Sequence, residues 1–266
     1  MFRVRRVWIF SFECAGIVKV GGLGEAVYNM AKHLASRGFD VTLFMPSHGI
    51  YDKRDIKEKL NLQEDSVSIK GRVKGSGFLP YRSPFRYKIG IQTGSLGGFK
   101  VVLFCGLDNA ASSILDDETV YRSGLIEDKS LLLARGISGY VDKLHYLNQN
   151  LPDVIHAHDY HAIPAAVLAR QKLEEYYHKA ALVLTIHLLS GKKCSWNYVG
   201  ENWCGIKNKT HQVYLYDKEM EMSHKTALRK ASFKLESFGA IESHVLASVN
   251  QSCRARNRFV EETRNA

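Results

Sequence analysis

The sequence of 266 residues lacks several features that would place it in a specialised class of protein. It has no internal repeat, no low-complexity segment and no long apolar span, which argues against a solenoid, a disordered chain and a membrane partner. Its five cysteines are odd in number and show no C-x-x-C spacing, a pattern that fits free thiols better than a disulfide framework or a metal site. We therefore expect a soluble globular protein in the reducing cytoplasm.

The N-terminus also lacks a complete secretory signal. The stretch MFRVRRVWIFSFECAG is basic and then apolar, but its apolar run is short, Glu13 follows at once, and there is no small-residue cleavage site. We interpret this run as a first buried strand.

Nucleic-acid-binding motifs are missing as well, although the formal net charge is +10. There is no helix-turn-helix, RRM, KH or zinc-finger pattern, so no nucleic-acid partner is expected. The charge then has two remaining explanations, a solvated basic face or a pocket for a phosphate-bearing substrate.

Strands and helices alternate along the chain. Residues 6–12 form a predicted strand, residues 23–37 a helix with one apolar stripe at helical period, and residues 40–45 a second strand. This βαβ unit predicts a parallel sheet. Short β-branched runs over 65–105 predict an inserted β-meander, and further elements are predicted as helices over 124–148, 162–176 and 226–240 and as strands over 152–158 and 180–189. The fold class is α/β, a doubly wound, Rossmann-like and mostly parallel sheet, in a single domain over 1–266.

Three polar clusters fall at the ends of predicted strands, where ligands bind in such sheets. The first is KVGGLG (19–24), in which Gly21, Gly22 and Gly24 allow positive φ and close backbone approach, while Lys19 supplies a charge beside a helix N-terminus. Together these groups suit a diphosphate. The spacing is neither G-x-G-x-x-G nor a Walker A loop, and a turn that only packs a helix on the sheet remains the alternative.

The other two clusters are HAHDYH (156–161) and TIH (185–187). His156, His158 and His161 approach the H-x-H-x-D-H spacing of dinuclear metallohydrolases, but the aspartate comes one position early and no distal set of ligands is evident. In the alternative interpretation His156 and His158 orient the loop while His161 faces a ligand.

These stretches resemble a known family. SFECAGIVKVGGLGEAV, PDVIHAHDYHAIPAAVLAR and ALVLTIH are similar, in order and spacing, to the three N-terminal signatures of bacterial and archaeal glycogen synthases and plant starch synthases. The resemblance covers most of residues 4–190. It implies the N-terminal half of a GT-B glycosyltransferase, a retaining enzyme that transfers glucose from ADP-glucose or UDP-glucose to the non-reducing end of an α-1,4-glucan acceptor.

The resemblance also implies roles for individual residues. Lys19, Gly21, Gly22 and Gly24 would bind the nucleotide-sugar donor, and His161 would lie at the transferred sugar as the catalytic residue. Neither a metal nor a cofactor is required. Further candidates for contact with glucan or for support of the site are Asp159, His187, Trp196 and Tyr198.

Some positions depart from the family pattern. Gly16-Ile17 replaces a proline-containing pair, and Leu188 stands where bacterial members carry Asn. The segment 241–253 matches only loosely, and no match is found for the E-x7-E segment of the C-terminal, nucleotide-binding domain. We therefore expect that domain to be absent and the chain alone to be inactive. The alternatives are a metal-dependent hydrolase using His156, His158 and His161, and a non-catalytic carbohydrate-binding module.

Aromatic residues in the segment after the third signature suggest contact with sugar. Trp196, Tyr198 and Trp203 lie in a polar, glycine-containing stretch, and flat aromatic faces stack on sugar rings. Packing in the core is the competing explanation.

Overall fold

The computed structural model describes residues 6–74, 84–215 and 218–249, so Cys253 and the last part of segment 241–253 lie outside the described residues. The first half of the chain forms β1 (Arg6–Phe10), α1 (Gly22–Ser36), β2 (Asp40–Pro46), α2 (Arg54–Leu60), β3 (Gln63–Glu64), β4 (Ile69–Arg72), β5 (Arg86–Leu96), β6 (Phe99–Gly106) and α3 (Asn109–Leu115). The second half forms α4 (Ile126–Tyr146), β7 (Val154–His158), α5 (Ile163–Glu175), β8 (Ala181–Ile186), α6 (Trp196–Val199), β9 (Thr210–Leu215), β10 (Lys218–Ser223), α7 (His224–Lys230), α8 (Leu235–Glu242) and β11 (Val245–Ser248).

Within the described residues, nine strands form one sheet in the order β11-β8-β7-β1-β2-β6-β5-β3, with β4 also paired to β5. The six strands from β11 to β6 are parallel. From β1 the chain moves outward through β2 and β6 on one side, and then through β7, β8 and β11 on the other. This is the Rossmann strand order, whose direction reverses between β1 and β7. The predicted fold class is confirmed.

Helices cover both faces of this sheet, and successive residues of each strand serve different faces. In β1, Val7 and Ile9 pack with α1, whereas Trp8 and Phe10 belong to the larger apolar cluster on the face that α4 and α5 cover. Burial on both faces explains why the central strands are nearly continuous apolar runs.

The predicted βαβ unit is present, with β1 and β2 parallel and α1 between them. The predicted helix over 124–148 is α4. All of the residues proposed for its buried side are 7% exposed or less: Leu125, Leu132, Leu133, Ile137, Val141 and Leu144.

The predicted meander extends the sheet at its edge. Strand β5 runs antiparallel to β3, β4 and β6, while β6 returns to the core as the parallel neighbour of β2.

The prediction of one helix over 226–240 is wrong, because α7 and α8 are separate helices. Between them Ser232 and Phe233 have φ values of +50° and +63°, which end a right-handed helix. Backbone hydrogen bonds also tie this turn to the segment after β8, from Cys194 N–H to the Phe233 carbonyl (2.8 Å) and from Leu235 N–H to the Lys192 carbonyl (2.9 Å).

The hairpin of β9 and β10 lies outside the main sheet and has no counterpart in the sequence predictions. Among the described residues, no helix combines the length and the apolar composition needed to cross a bilayer.

Candidate functional site

A cavity of about 830 Å³ opens at the carboxyl ends of the parallel strands, beside the reversal between β1 and β7. Its lining comes from residues 20–23 and Ala26 after β1, from residues between 121 and 127 before and within α4, from 159–161 after β7, and from residues between 187 and 192 after β8, with Glu13 and Val249. The three polar clusters predicted to converge therefore meet around one cavity. This is the position that the strand-end rule predicts for a ligand.

The glycine turn after β1 forms one wall. Gly21 is the N-cap of α1 in extended backbone (φ −140°), with no side-chain cap, and a Cβ added at Gly21 or Gly22 would meet no atom within 4 Å. The glycines therefore leave open space beside a helix N-terminus, a site that favours anions. None of Gly21, Gly22 and Gly24 adopts positive φ, so these glycines serve close backbone approach and not a left-handed turn.

A carboxylate that the sequence predictions did not assign holds this turn. Glu13, 2% exposed, accepts hydrogen bonds at Oε2 from the N–H groups of Val20 (2.6 Å) and Gly21 (2.8 Å). The N–H groups left for a ligand are therefore those of the first turn of α1, from Gly22 onward. The signal in the sequence is an acidic residue directly after the apolar run of β1.

Lys19 and Gly24, which the resemblance assigns to donor binding, do not line the cavity in the described structure. The ammonium of Lys19 lies 2.7 Å from the Glu25 carboxylate, and both side chains are about half exposed. A Cβ on Gly24 would approach the Lys19 stem (3.3 Å), the Ala15 nitrogen (3.4 Å) and Glu13 Oε2 (3.4 Å). Gly24 thus serves close packing of the turn.

His161 lies at the back of the cavity, and its side chain is 2% exposed. The centre of its ring is 4.3 Å from that of Phe12 and 5.6 Å from that of Tyr121. Neither ring nitrogen has a hydrogen-bond partner among the described residues. Burial lowers the pKa of His161 to about 3, so the imidazole is neutral and can both donate and accept a hydrogen bond.

The other polar side chains of residues 156–161 form hydrogen bonds mainly with residues at the end of β8 and just after it. Asp159 accepts hydrogen bonds from the N–H groups of His187 (2.7 Å) and Leu188 (3.3 Å), and burial raises its pKa. His158 Nδ1 lies 2.9 Å from His187 Nε2, while His156 Nε2 lies 2.8 Å from the hydroxyl of Thr185, outside the cavity lining. Asp159 and His187 both line the cavity, as proposed.

A buried lysine, Lys129, holds the loop that forms another wall of the cavity. Lys129 Nζ donates to the carbonyl oxygens of Asp117 (2.7 Å) and Thr119 (2.9 Å), which fixes the loop between α3 and α4. This loop carries Tyr121, whose hydroxyl donates to Glu13 Oε1. Burial lowers the pKa of Lys129 to about 8.

The cationic side chain in the described cavity lining is Lys192, not Lys19. Its ammonium pairs with the carboxylate of Glu127, and the nearby Ser190 N–H donates to Glu236 (2.9 Å). Sequence analysis did not single out Lys192, because the pattern loosens after β8.

The aromatic segment is mostly core. Tyr198 and Trp203 are 1% and 0% exposed, so the hypothesis that these two side chains stack on sugar is wrong. Trp196 borders a separate hollow of about 110 Å³ lined by polar residues and glycine, away from the main cavity.

The histidines at 156–161 do not form the metal-ligand set considered in the sequence analysis. His156 and His158 stack on each other with ring centres 4.4 Å apart, whereas His161 packs against Phe12. In the described part of the chain, the atoms that converge closely enough to hold a metal belong to His211, His224 and Glu242.

Residues 6–245 match the family model described as the starch synthase catalytic domain. This chain belongs to that family. The glycine turn, the 156–161 cluster and the 185–187 cluster all fall within the matched region, so the resemblance noted from the three signatures is confirmed.

Curated relatives of the family include the glycogen synthase of Pseudothermotoga lettingae, 27% identical over 187 residues, and glycogen synthase 1 of Geobacter sulfurreducens, 29% identical over 191 residues. The alignments cover 69% and 66% of this chain, but 35% and 32% of the relatives. The chain thus matches about a third of the length of each.

The fold is similar to that of the catalytic domain of starch synthase IV from Arabidopsis thaliana, in a structure with ADP and acarbose bound. The TM-score is 0.62 at 19% identity, over 91% of this chain and 44% of that one. At this sequence identity, the structural similarity establishes that the two proteins share a fold, and no more than that.

Proposed function

We propose that this chain supplies the acceptor-side part of a retaining glucosyltransferase. Glucose would pass from ADP-glucose or UDP-glucose to the non-reducing end of an α-1,4-glucan, and no metal would take part in the transfer. The observation that carries the proposal is the convergence of the Gly21–Gly22 turn and the unpartnered, buried His161 on one cavity, in a chain of the starch synthase catalytic domain family. An open helix N-terminus suits phosphate, and an unsatisfied imidazole suits sugar hydroxyls.

His161 would hold the transferred glucose by hydrogen bonds. Burial lowers the pKa of His161 to about 3, so the imidazole is uncharged at neutral pH and cannot act as a general acid. Its role would therefore be to orient the sugar, which supports transfer by fixing the reacting geometry.

The donor diphosphate would lie against the first turn of α1, with Lys192 facing it. Lys19 would also bind the diphosphate, because its ion pair with Glu25 is half exposed and such pairs contribute no more than about 1 kcal/mol. A lysine bonded to a phosphate contributes about 1.5–3 kcal/mol, and this attraction favours the leaving diphosphate.

The rest of the donor site would come from a second domain. The relatives are about three times as long as the segments that match this chain. Without contacts to the nucleotide base, donor affinity should be no better than about millimolar. We also propose a cytoplasmic location, since Cys14, Cys105, Cys194 and Cys204 are free thiols.

The test joins residues 1–266 to the C-terminal portion of the Pseudothermotoga lettingae glycogen synthase and measures transfer to maltooligosaccharides from each donor. We expect transfer by the joined protein and none by residues 1–266 alone. His161→Ala should lower kcat, whereas Lys19→Ala and Lys192→Ala should raise the donor KM roughly 10- to 150-fold. Lys32→Ala, an exposed substitution on α1, is the matched control.

Two outcomes contradict the proposal. Turnover by residues 1–266 alone would mean that the site is complete within this chain. Binding of glucan without any transfer, in a joined protein that folds and binds nucleotide, would favour a carbohydrate-binding module.

A further inference from the structure

A second polar cluster lies outside the cavity, where the β9–β10 hairpin and the start of α7 meet the end of α8. His211 Nε2 is 2.7 Å from Glu242 Oε2, and His224 Nδ1 is 2.9 Å from Glu242 Oε1. The Glu242 and His224 side chains are 0% and 3% exposed, and that of His211 is 11% exposed. None of the three lines the cavity of the proposed glucosyl transfer.

We propose that His211, His224 and Glu242 form a binding site for one divalent transition metal ion, zinc in the first instance. Their ligand atoms all lie within 4.8 Å of one another. Two imidazoles and one carboxylate are a donor set that zinc uses with a water in the fourth position. The partly exposed edge of His211 gives that water access to solvent.

The surroundings of the cluster are those of an outer ligand shell. Arg170 Nη2 donates to Glu242 Oε2 (2.6 Å) and Nη1 to the Glu242 carbonyl (2.5 Å), which holds the carboxylate in place. His211 Nδ1 faces the Lys209 carbonyl at 3.4 Å. Without the ion, a proton on Nε2 accounts for the contact with Glu242. When Nε2 binds the ion, the ring proton would lie on Nδ1 and point to the Lys209 carbonyl, the arrangement common for histidines at metal sites.

The distances require a small expansion on binding. Tetrahedral zinc with bonds of about 2.0–2.1 Å places its ligand atoms roughly 3.3 Å apart. The present N···O contacts of 2.7 and 2.9 Å are hydrogen-bond lengths, so the imidazoles must withdraw by about half an ångström and rotate out of their stacking, in which the ring centres are 3.9 Å apart. His211 can do so because it belongs to a two-stranded hairpin at the surface.

Charge does not oppose binding strongly. The positive charge of Arg170 is partly compensated, because its guanidinium pairs with Glu242 and also lies 3.6 Å from the Glu174 carboxylate. The bound ion would join β9 and α7 to α8, which makes it a structural clamp, independent of glucosyl transfer.

The experiment uses residues 1–266, stripped on chelating resin and titrated with zinc chloride and, separately, with cobalt chloride. We expect one equivalent of zinc by elemental analysis, a visible absorption band with cobalt, and a melting temperature that rises with zinc. His211→Gln and His224→Gln should each weaken binding by at least about 100-fold, since loss of an outer-shell partner alone reduces affinity 10- to 100-fold. His33→Gln, on the exposed face of α1, is the control and should bind like the parent.

Circular dichroism checks that each variant is folded. If the buried His224→Gln variant unfolds, His211→Gln decides, because that ring is partly exposed. The absence of stoichiometric zinc in the parent would overturn the proposal, as would zinc that remains in His211→Gln but disappears in His156→Gln. None of these results depends on whether the chain transfers glucose.

Discussion

His161 has two ring nitrogens without hydrogen-bond partners among the described residues, although its side chain is 2% exposed. A buried polar atom left unsatisfied destabilises a fold by about 1–3 kcal/mol. In the proposed complex, the hydroxyl groups of the transferred glucose would supply these bonds. Phe12 and Tyr121 hold the ring by packing alone, so its orientation does not depend on those bonds.

A residue-scale prediction follows for His161→Phe. A phenyl ring at this position would pack against Phe12 and Tyr121 and has no polar atoms to satisfy, so the free energy of unfolding at pH 7 should stay equal or rise by up to about 1 kcal/mol. In the joined enzyme the same variant should lose glucosyl transfer. Chemical denaturation and the transfer assay measure the two effects. Equal loss of stability and of activity would indicate that His161 has only a structural role.

At the scale of elements, the turn between α7 and α8 fixes the position of the segment that follows β8. Phe233 adopts φ +63°, a conformation unfavourable for an aromatic residue, and its side chain is 45% exposed. The backbone bonds to Lys192 and Cys194 retain this conformation and bring Lys192, a residue of the cavity lining, to the start of α8.

The positive φ of Phe233 predicts opposite effects on stability for two substitutions at this position. Phe233→Gly should raise the free energy of unfolding by roughly 0.5–1 kcal/mol, because glycine adopts positive φ without steric conflict. Phe233→Ala removes the same ring without relieving the backbone, so it should leave stability unchanged or lower it. Urea denaturation of both variants measures the difference, and a more stable alanine variant would contradict the explanation.

At the scale of the whole molecule, several histidines are buried in the neutral form. Burial lowers the pKa of His48 and His161 to about 3 and that of His156 to about 4, and it holds the pKa of His158 well below its usual value. In the unfolded chain these residues titrate near pH 6.5. The unfolded state therefore binds more protons below pH 6.5, so their contribution to stability is present above that pH and falls as the solution is acidified toward the folded-state values.

Carboxyls with raised pKa, such as Asp116 and Asp159, change stability with pH in the opposite direction, so the contribution of one histidine is measured by comparing a variant with the parent. From pH 7 to pH 5 one such histidine should reduce the free energy of unfolding by roughly 2 kcal/mol. His161→Phe removes one titrating group, so this variant should lose about that much less than the parent over the same range. Urea denaturation at both pH values measures it. Parallel losses in the two proteins would mean that His161 is not buried neutral.

Much of the architecture follows from local pattern. The stripe of α1, the buried side of α4 and the apolar runs of β1 and β8 are set by periodicities of a few residues, and these predict the element type without knowledge of distant partners. Because parallel strands end at the same edge, the positions of Gly21, Gly22, Asp159, His161 and His187 could also be assigned to one site from the sequence alone.

Tertiary structure alone decided which partners those residues meet. Lys19 pairs with Glu25 and does not line the cavity, while Glu13 accepts hydrogen bonds from two backbone N–H groups of the glycine turn. Lys192 lines the cavity, and the segment that carries it is bonded to the turn between α7 and α8, where the sequence predicted a continuous helix. The cores that enclose Tyr198 and Trp203 likewise come from distant segments, so a polar neighbourhood in sequence said nothing about their burial.

The cluster of His211, His224 and Glu242 is the clearest case of this division. Its members are 31 and 18 residues apart from Glu242 along the chain and follow no recognised ligand spacing. Local propensity and periodicity act over one or two turns, whereas side-chain convergence depends on how whole elements pack. The sequence by itself therefore determined the central parallel strands, the helices α1, α4 and α5, and the edge of the sheet at which the three polar clusters meet. Only the packing of the hairpin on α8 brought His211, His224 and Glu242 together.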